Sequence, residues 1–209
     1  MRHVRSLVVV LAPIAALAIC GMASTVETPQ VIIHDVAVVD TRTGKLLEGR
    51  DVVMAGDRII SVESSKTVLS NKGITLIDDH RKFLIPGLWD MEVHLSWTTG
   101  SALPLLVANG VTDVRDMGSK LDEIEDWRTQ IAAGLLVGPY ILRVGPMLNG
   151  KSFNQYQMVV GLPEQARGVV RTLKFIGMDG LSLERRVNRD SYFALLEEAK
   201  REQIQLAGT

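Results

Sequence analysis

The sequence has very little cysteine, few aromatic residues and almost no net charge. Cys20 is the only cysteine among the 209 residues, so no disulfide can form within the chain. Aromatic residues make up 5% and the formal net charge is -1. With no basic run interleaved with aromatics, there is no electrostatic basis for nucleic-acid binding. The apolar share of 46% is that of an ordinary globular protein.

The longest apolar run, at the N-terminus, is too short to span a bilayer comfortably. Arg2 and Arg5 precede this run, which covers residues 7–20. Small residues then end at Ala23, a pattern typical of signal-peptidase cleavage. We predict that residues 1–23 form a signal peptide and that the mature protein is exported, either periplasmic or secreted.

Two alternatives for this segment are a retained membrane anchor and a lipid anchor at Cys20. The short run and Pro13 within it argue against the membrane anchor. The bulky Ile19 before Cys20 argues against the lipoprotein. Cleavage would remove the only cysteine, which excludes thiol chemistry in the mature chain, and would leave no stable membrane span.

Residues 24–84 have a sequence pattern that predicts a small β-sandwich. Short runs of β-branched residues alternate with tight turns, and residues 52–54 and 59–62 flank Ala55-Gly56-Asp57, a hairpin signal. Several short strands joined in this way are typical of an all-β unit. Few large aromatics are available, so this segment is not expected to be a complete core alone.

Residues 85–209 alternate between strands and helices, which predicts a parallel sheet of about five strands with helical crossovers. No glycine-rich loop opens the first helix, which argues against a nucleotide-binding fold. The pattern alone leaves open whether the sheet is flat or part of a barrel. The predicted strands cover residues 88–95, 111–117, 140–144, 181–183 and 204–207. The predicted helices cover 101–109, a stretch capped by Ser119, a stretch from Pro163 to Gly177, and 191–203.

The first of these strands carries charged residues on an otherwise apolar run. Strand alternation places Asp90, Glu92 and His94 on one face. Glu92 and His94 are acceptable zinc ligands, with Asp90 as a further candidate, but a metal site usually needs at least three protein ligands. The alternative, which we favour, is a buried polar cluster in which His94 hydrogen-bonds to a carboxylate.

Residues 85–95 (IPGLWDMEVHL) and 109–118 (NGVTDVRDMG) resemble the first two barrel strands of the metal-dependent amidohydrolase superfamily. The likeness is greatest to the imidazolonepropionase and Xaa-Pro dipeptidase branch and runs over residues 31–209. It implies a (β/α)8 barrel with a small sandwich built from both chain ends, and an active site at the C-terminal ends of the strands. It also implies metal-dependent hydrolysis of C–N bonds in amide, cyclic amide or dipeptide substrates.

This chain departs from the ligand pattern that the resemblance implies. Glu92 stands where the first histidine of the strand-one pair is expected, and His94 matches the second. Ser182 replaces the strand-four lysine, and a hydroxyl cannot form a stable carbamate bridge between metals. Thr209 replaces the strand-five histidine, and later ligands have no counterpart. A divalent metal, zinc by analogy, is therefore expected to bind weakly or not at all.

The barrel-like part of the chain is short, because a complete barrel takes about 250 residues and roughly 120 follow Pro86. This shortfall leads to three hypotheses. The first is a truncated, amidohydrolase-like pseudoenzyme, inactive or impaired as this isolated chain, whose family acts on small molecules or peptides. The second is a non-catalytic binding or assembly subunit that pairs its open barrel edge with a partner. The third is an enzyme in which a partner chain or second copy completes the barrel and donates the missing ligands.

Other polar residues are expected to have ordinary roles. We interpret Asp113 and Asp116 as a local ion pair with Arg115. The loop over residues 145–162, after the third strand, carries three polar candidates for substrate contact: Lys151, Ser152 and Asn154. Two histidines of the β-rich segment are predicted to be surface residues rather than ligands: His34 and His80.

Overall fold

The computed structural model describes residues 30–65, 73–78 and 80–208. The predicted signal peptide over residues 1–23, with Cys20, and the last residue, Thr209, lie outside them. Among the described residues, no helix is both long enough and apolar enough to cross a membrane. The chain divides into two compact units, one ending at Ile85 and the other beginning at Pro86.

The first unit is one five-stranded sheet with the strand order β3-β2-β1-β4, in which β5 also pairs with β1. The first three strands are antiparallel, and β4 and β5 run parallel to β1. The strands described in this unit are all hydrogen-bonded into this one sheet. Its strands are β1 (Val31–Asp40), β2 (Lys45–Ala55), β3 (Arg58–Ser64), β4 (Thr75–Asp78) and β5 (Phe83–Leu84).

The predicted hairpin in this sheet is confirmed. Ala55 pairs with Arg58, so residues 56 and 57 form a two-residue turn between β2 and β3. Gly56 has a φ of +56°, which glycine adopts at little steric cost. The turn therefore sets the register at the end where β2 and β3 meet.

The second unit alternates strands and helices, as the sequence predicts. Its strands are β6 (Leu88–Val93), β7 (Val111–Asp116), β8 (Tyr140–Arg143), β9 (Met147–Asn149), β10 (Gln157–Val159), β11 (Gly180–Leu183) and β12 (Gln205–Gly208). Its helices are α1 (Ala102–Ala108), α2 (Leu121–Ala132), α3 (Pro163–Phe175) and α4 (Arg189–Arg201), with a short 3-10 helix at Leu95–Thr98.

Five of these strands form one parallel series. Strands β6, β7 and β8 pair in that order, and β11 pairs with β12. Backbone hydrogen bonds join the two groups, since Asp179 N donates to Arg143 O at 2.9 Å and Ser182 N donates to Val144 O at 3.1 Å. The order β6-β7-β8-β11-β12, with an α-helix between each pair of neighbours, confirms the predicted partial barrel of about five strands.

The segment predicted as a loop over residues 145–162 contains two short strands, β9 and β10. They pair in parallel with each other, and β9 also pairs with β11. Leu148 is fully buried and Met147 nearly so, which gives β9 a place in the core. The loop prediction was wrong there because the glycines and polar residues around β9 hid a strand of only three residues.

The helices lie where the sequence predicts them, but the residue that begins α2 differs from the prediction. Ser119 was predicted to cap it, whereas the N-cap is Lys120 and has no side-chain cap. The Ser119 hydroxyl instead donates to Asp116 Oδ2 at 2.7 Å. Helix α4 begins at Arg189, two residues before the prediction, because Asn188 Oδ1 accepts the Ser191 backbone N–H.

Two clusters of buried side chains form the core of the second unit. One lies under α1 and α2 and contains Leu95, Leu103, Val114, Ile124 and Ile141. The other packs α3 and α4 on the β9–β11 side and includes Leu148, Val170, Leu173, Leu181 and Leu195, each at most 1% exposed. Together they hold the C-terminal ends of the strands, where the candidate site lies.

Candidate functional site

The three charged residues of the first parallel strand do not form one cluster. Strand β6 ends at Val93, so His94 follows the strand rather than belonging to it. Glu92 is exposed and Asp90 is half-buried. The Asp90 carboxylate accepts the Glu92 backbone N–H at 3.1 Å, so it is directed along its own strand.

His94 is held by an aromatic stack. Its ring lies 4.1 Å from the Trp97 ring, centroid to centroid, with 13° between the planes. Its Nδ1 atom is buried and has no hydrogen-bond partner among the described residues. The favoured prediction of a bond from His94 to a carboxylate was therefore wrong for this part of the chain. The nitrogen left unpaired is a candidate ligand or proton-transfer atom.

Asp116 is the residue that positions this strand end, and sequence reasoning gave it a different role. Asp116 is buried, with only 2% of its surface exposed. Oδ2 accepts the Leu95 N–H at 2.9 Å and the Ser119 hydroxyl at 2.7 Å, and Oδ1 accepts the Gly118 N–H at 3.1 Å. The Asp116-x-Gly118-Ser119 spacing, typical of a tight turn, was the available signal.

The predicted ion pair of Arg115 with its flanking aspartates was wrong. Arg115 Nε donates to the backbone oxygen of Met91 at 2.7 Å, across the β6–β7 pair. Asp113 accepts the hydroxyl of Thr112 at 2.6 Å. Within the described residues no ion pair joins Arg115 to either acid. Alternation along β7 directs Asp116 to the opposite face, while Asp113 and Arg115 are each bonded to another group.

Ser182 lies in the middle of β11 and is 2% exposed. Its hydroxyl donates to the Met117 backbone oxygen at 2.8 Å. The side chain that replaces the expected lysine thus has its proton committed to the end of β7. It ties two parallel strands together and offers no amine for a carbamate.

The described residues do not fit a divalent metal. No group of three or more histidine, cysteine, aspartate or glutamate side chains comes together in the part of the chain that the structure describes. His94 has a free nitrogen, but Glu92 is exposed, Ser182 is hydrogen-bonded and Asp116 is used by the backbone. Zinc sites in proteins need at least three such ligands.

Charge around the start of α2 is balanced locally. Hydrogen bonds from the Ser96 hydroxyl and the Lys120 ammonium lower the pKa of Glu123 below its ordinary value. The same pair raises the pKa of Lys120, whose Nζ lies 2.9 Å from Glu123 Oε1. Because Ser96 N also donates to Ser119 Oγ at 3.0 Å, this network continues to Asp116 and the strand end.

A cavity of about 420 Å³ opens beside the β9–β10 segment and the end of β11. None of the three polar loop candidates lines it, although Lys151 Nζ lies 5.8 Å from the centroid of the Phe153 ring, which does. Ser152 and Asn154 instead bond within their own loop, to the Asn154 oxygen and the Tyr156 N–H. Sequence reasoning missed the arginines that line this cavity.

The two histidines of the first unit are each bonded to an aspartate. His34 Nδ1 lies 2.8 Å from Asp51 Oδ1, and the His34 side chain is only 23% exposed. His80 Nδ1 lies 2.5 Å from Asp35 Oδ2 and its side chain is 60% exposed. The surface prediction is confirmed for His80, while His34 is half-buried because it packs beside the strand bulge at Asp35.

Solved structures share this fold. A protein from Bifidobacterium longum assigned as a prolidase superposes with a TM-score of 0.73 at 23% identity. The match covers 85% of this chain and 48% of the prolidase chain. Molinate hydrolase gives 0.70 at 19% identity, with coverages of 87% and 54%. A Xaa-Pro dipeptidase with bound methionine gives 0.69 at 21% identity, with 85% and 56%.

The chain spans about half the length of the solved structures it matches. No protein-family model and no curated protein matches the sequence. At these identities the likeness concerns the fold. The resemblance to the amidohydrolase superfamily that the first two parallel strands indicate is thus confirmed in the fold, which this chain shares with prolidase and amidohydrolase structures over most of its length.

Proposed function

We propose that this chain is an amidohydrolase-like protein with little or no hydrolytic activity as an isolated chain. The reaction class is metal-dependent hydrolysis of C–N bonds in amide, cyclic amide or dipeptide substrates. The observation that carries the proposal is the end of β6. There His94 keeps an unpaired, buried Nδ1, and the described residues bring no cluster of ligands around it. This supports a metal centre whose donor set has been lost.

The fold likeness supports the reaction class, and the side chains support the loss of activity. Prolidase, dipeptidase and hydrolase structures share the fold in which, in this chain, His94 directly follows β6 and Ser182 lies within β11. In this chain those positions carry one imidazole and one hydroxyl that is already donating to Met117 O. We therefore propose weak or absent zinc binding, with His94 and Glu92 as the residues nearest to a ligand pair.

The decisive test is a Glu92→His variant, which restores a histidine pair on the strand. We expect zinc affinity to rise at least about tenfold over the unmodified chain, or about 1.4 kcal/mol. His94→Ala in the same background should abolish the gain. Isothermal titration with zinc chloride measures both effects.

The matched control is Met91→His, which adds a histidine at the neighbouring and equally exposed position, 48% exposed. Strand alternation directs this side chain to the other face, so we expect no gain in zinc affinity. Equal gains for both variants would show that the strand end is not a latent metal site. Hydrolysis of an Ala-Pro dipeptide by the unmodified chain would contradict the proposed inactivity.

A second candidate function is a non-catalytic binding or assembly subunit, and the strand edges favour it. Among the described residues, β6 pairs only with β7 and β12 only with β11. Three apolar side chains on β6 are about half exposed: Leu88, Trp89 and Met91. A strand edge flanked by exposed apolar side chains is suited to pairing with another chain.

Sedimentation of the purified chain separates these candidates. The assembly candidate predicts a stable dimer or a complex with a co-purifying protein, whereas a compact monomer that unfolds cooperatively would exclude it. If a partner or second copy completes the barrel and donates ligands, hydrolysis should occur in the complex and not in the separated chain.

We further propose that residues 1–23 direct export and are removed after Ala23. The basic start, the short apolar run and the small residues before residue 24 support this proposal. Mass spectrometry of the protein from an exporting host should give a chain that begins at Ser24. An intact Met1 terminus would contradict it.

A further inference from the structure

The cavity beside the β9–β10 segment lies at the C-terminal ends of β9 and β11, and neither His94 nor a residue of β6 lines it. Its volume of about 420 Å³ is within the range of small-molecule sites. Two amides, one aromatic ring, one carboxylate and two guanidinium groups line it. The lining residues are Asn149, Phe153, Gln157, Glu184, Arg185 and Arg186.

Two loops build the cavity by approaching closely. A Cβ added to Gly150 would lie 1.9 Å from the backbone oxygen of Arg186, so only glycine permits this approach. In the first loop, Gln157 Oε1 accepts the Phe153 N–H at 2.8 Å, which fixes the backbone that carries the Phe153 ring. The Glu184 N–H donates to Leu148 O at 2.8 Å, which fixes the start of the second.

The two arginines that line this cavity have no acidic partner among the described residues, and Lys151 lies near the Phe153 ring without lining the cavity. The Arg186 guanidinium lies 4.3 Å from the centroid of the Phe153 ring, and Lys151 Nζ lies 5.8 Å from it. In the described ranges, neither these two nor Arg185 forms an ion pair. Other arginines of the second unit do: Arg143 pairs with Asp179, and Arg171 with Glu198. The aromatic face orients the guanidinium while leaving its donors unused.

We propose that this cavity binds the carboxylate of a small, singly charged organic acid through Arg185 and Arg186. A guanidinium matches a carboxylate with two parallel hydrogen bonds. Two guanidinium groups and the Glu184 carboxylate give the lining a net charge of +1, which matches a monoanion. Glu184 opposes a doubly charged phosphate. Binding here requires neither a metal nor hydrolysis, so it stands apart from the function proposed above.

The test is calorimetric titration of the full chain, in EDTA, with benzoate and with benzamide. The two probes have the same ring and size and differ in the carboxylate. We expect benzoate to bind at least about tenfold tighter, because hydrogen bonds to a charged group are the stronger ones. Equal binding of the two, or no binding of benzoate at millimolar concentration, would overturn the proposal.

Variants assign the effect to the cavity. Arg186→Gln should weaken the binding of benzoate at least about tenfold and leave the binding of benzamide unchanged. Arg186→Lys should retain only part of the affinity for benzoate, since an ammonium lacks the planar fork of a guanidinium. The control is Arg189→Gln, an exposed arginine over the Phe193 ring that does not line the cavity; it should leave benzoate binding unchanged. Inorganic phosphate binding as tightly as benzoate, or an equal loss in the control, would overturn the assignment.

Discussion

At the scale of residues, Asp116 determines the geometry of the first strand end. Three buried donors converge on its carboxylate: Leu95 N, Gly118 N and Ser119 Oγ. Because Leu95 follows His94 directly, the same bonds position the imidazole and its stack on Trp97. The candidate site therefore depends on a side chain that contacts no ligand itself.

Asp116→Ala should destabilise the protein by about 3 kcal/mol, because it leaves buried donors unsatisfied. Urea unfolding followed by tryptophan fluorescence measures this, since all three tryptophans, at positions 89, 97 and 127, lie in the second unit. Asp113→Ala is the control, because among the described residues that carboxylate bonds only to the neighbouring Thr112 hydroxyl. It should cost less than about 1 kcal/mol. Similar losses for both variants would refute the role given to Asp116.

Glu123 should make stability depend on pH. Its pKa in the folded protein is lowered by the Ser96 hydroxyl and the Lys120 ammonium. A lowered pKa means that its contribution is fully present above the ordinary value of 4.5 and is lost as pH falls through the lowered folded value. The contribution is expected to be below about 1 kcal/mol, because the pair is partly exposed.

Unfolding of the Glu123→Gln variant between pH 7 and about pH 2 tests this. Its free energy of unfolding should lie below that of the unmodified chain at pH 7, and the two should converge at the acid end. Asp122→Asn, in the same helical turn but exposed, is the control and should show a much smaller difference. A gap that widens toward acid would contradict the sign.

Individual side-chain partners were the part least predictable from the sequence. Local rules favoured an ion pair for Asp116 and a cap for Ser119, and both residues instead bond to each other across a turn. The partner of a buried polar group is decided by which strands meet, which no local pattern specifies. Replacement of a ligand, as at Ser182, could be predicted because it needs only the aligned motif.

At the scale of elements, periodicity located the helices and main strands of the second unit. The apolar spacing of α2 and α3 and the glycines after them gave their positions within a few residues, because burial of one face is a strong local signal. Strands β9 and β10 were missed, since three residues carry too little periodicity. Strand β9 pairs with β11, which is distant in the sequence, and β10 pairs with β9.

The packing of α4 gives a prediction at this scale. Leu195 is fully buried between α4 and the β9–β11 side of the sheet. Leu195→Ala should cost about 2–5 kcal/mol of unfolding free energy, through lost apolar burial and a cavity. Leu105→Ala on α1, where the side chain is 63% exposed, should cost less than about 1 kcal/mol. Equal losses in urea unfolding would show that the α4 face is not the core that we describe.

At the scale of the molecule, five parallel strands and their helices share a fold with prolidase and hydrolase structures. The first two strands indicated this from their residues alone. What the sequence could not indicate was the state of the candidate site, because that depends on distances between side chains from separate strands. His94 keeps a free nitrogen, and the described residues provide no ligand cluster around it.

The most direct test of this account is the zinc content of the protein after purification and dialysis, measured by elemental analysis. Because the described residues bring no group of three ligands together, we expect well under one zinc per chain. The Glu92→His variant, dialysed in the same way, should retain more. One or more tightly bound zinc ions per unmodified chain would contradict the account, since the described residues would then form the metal site that we infer to be lost.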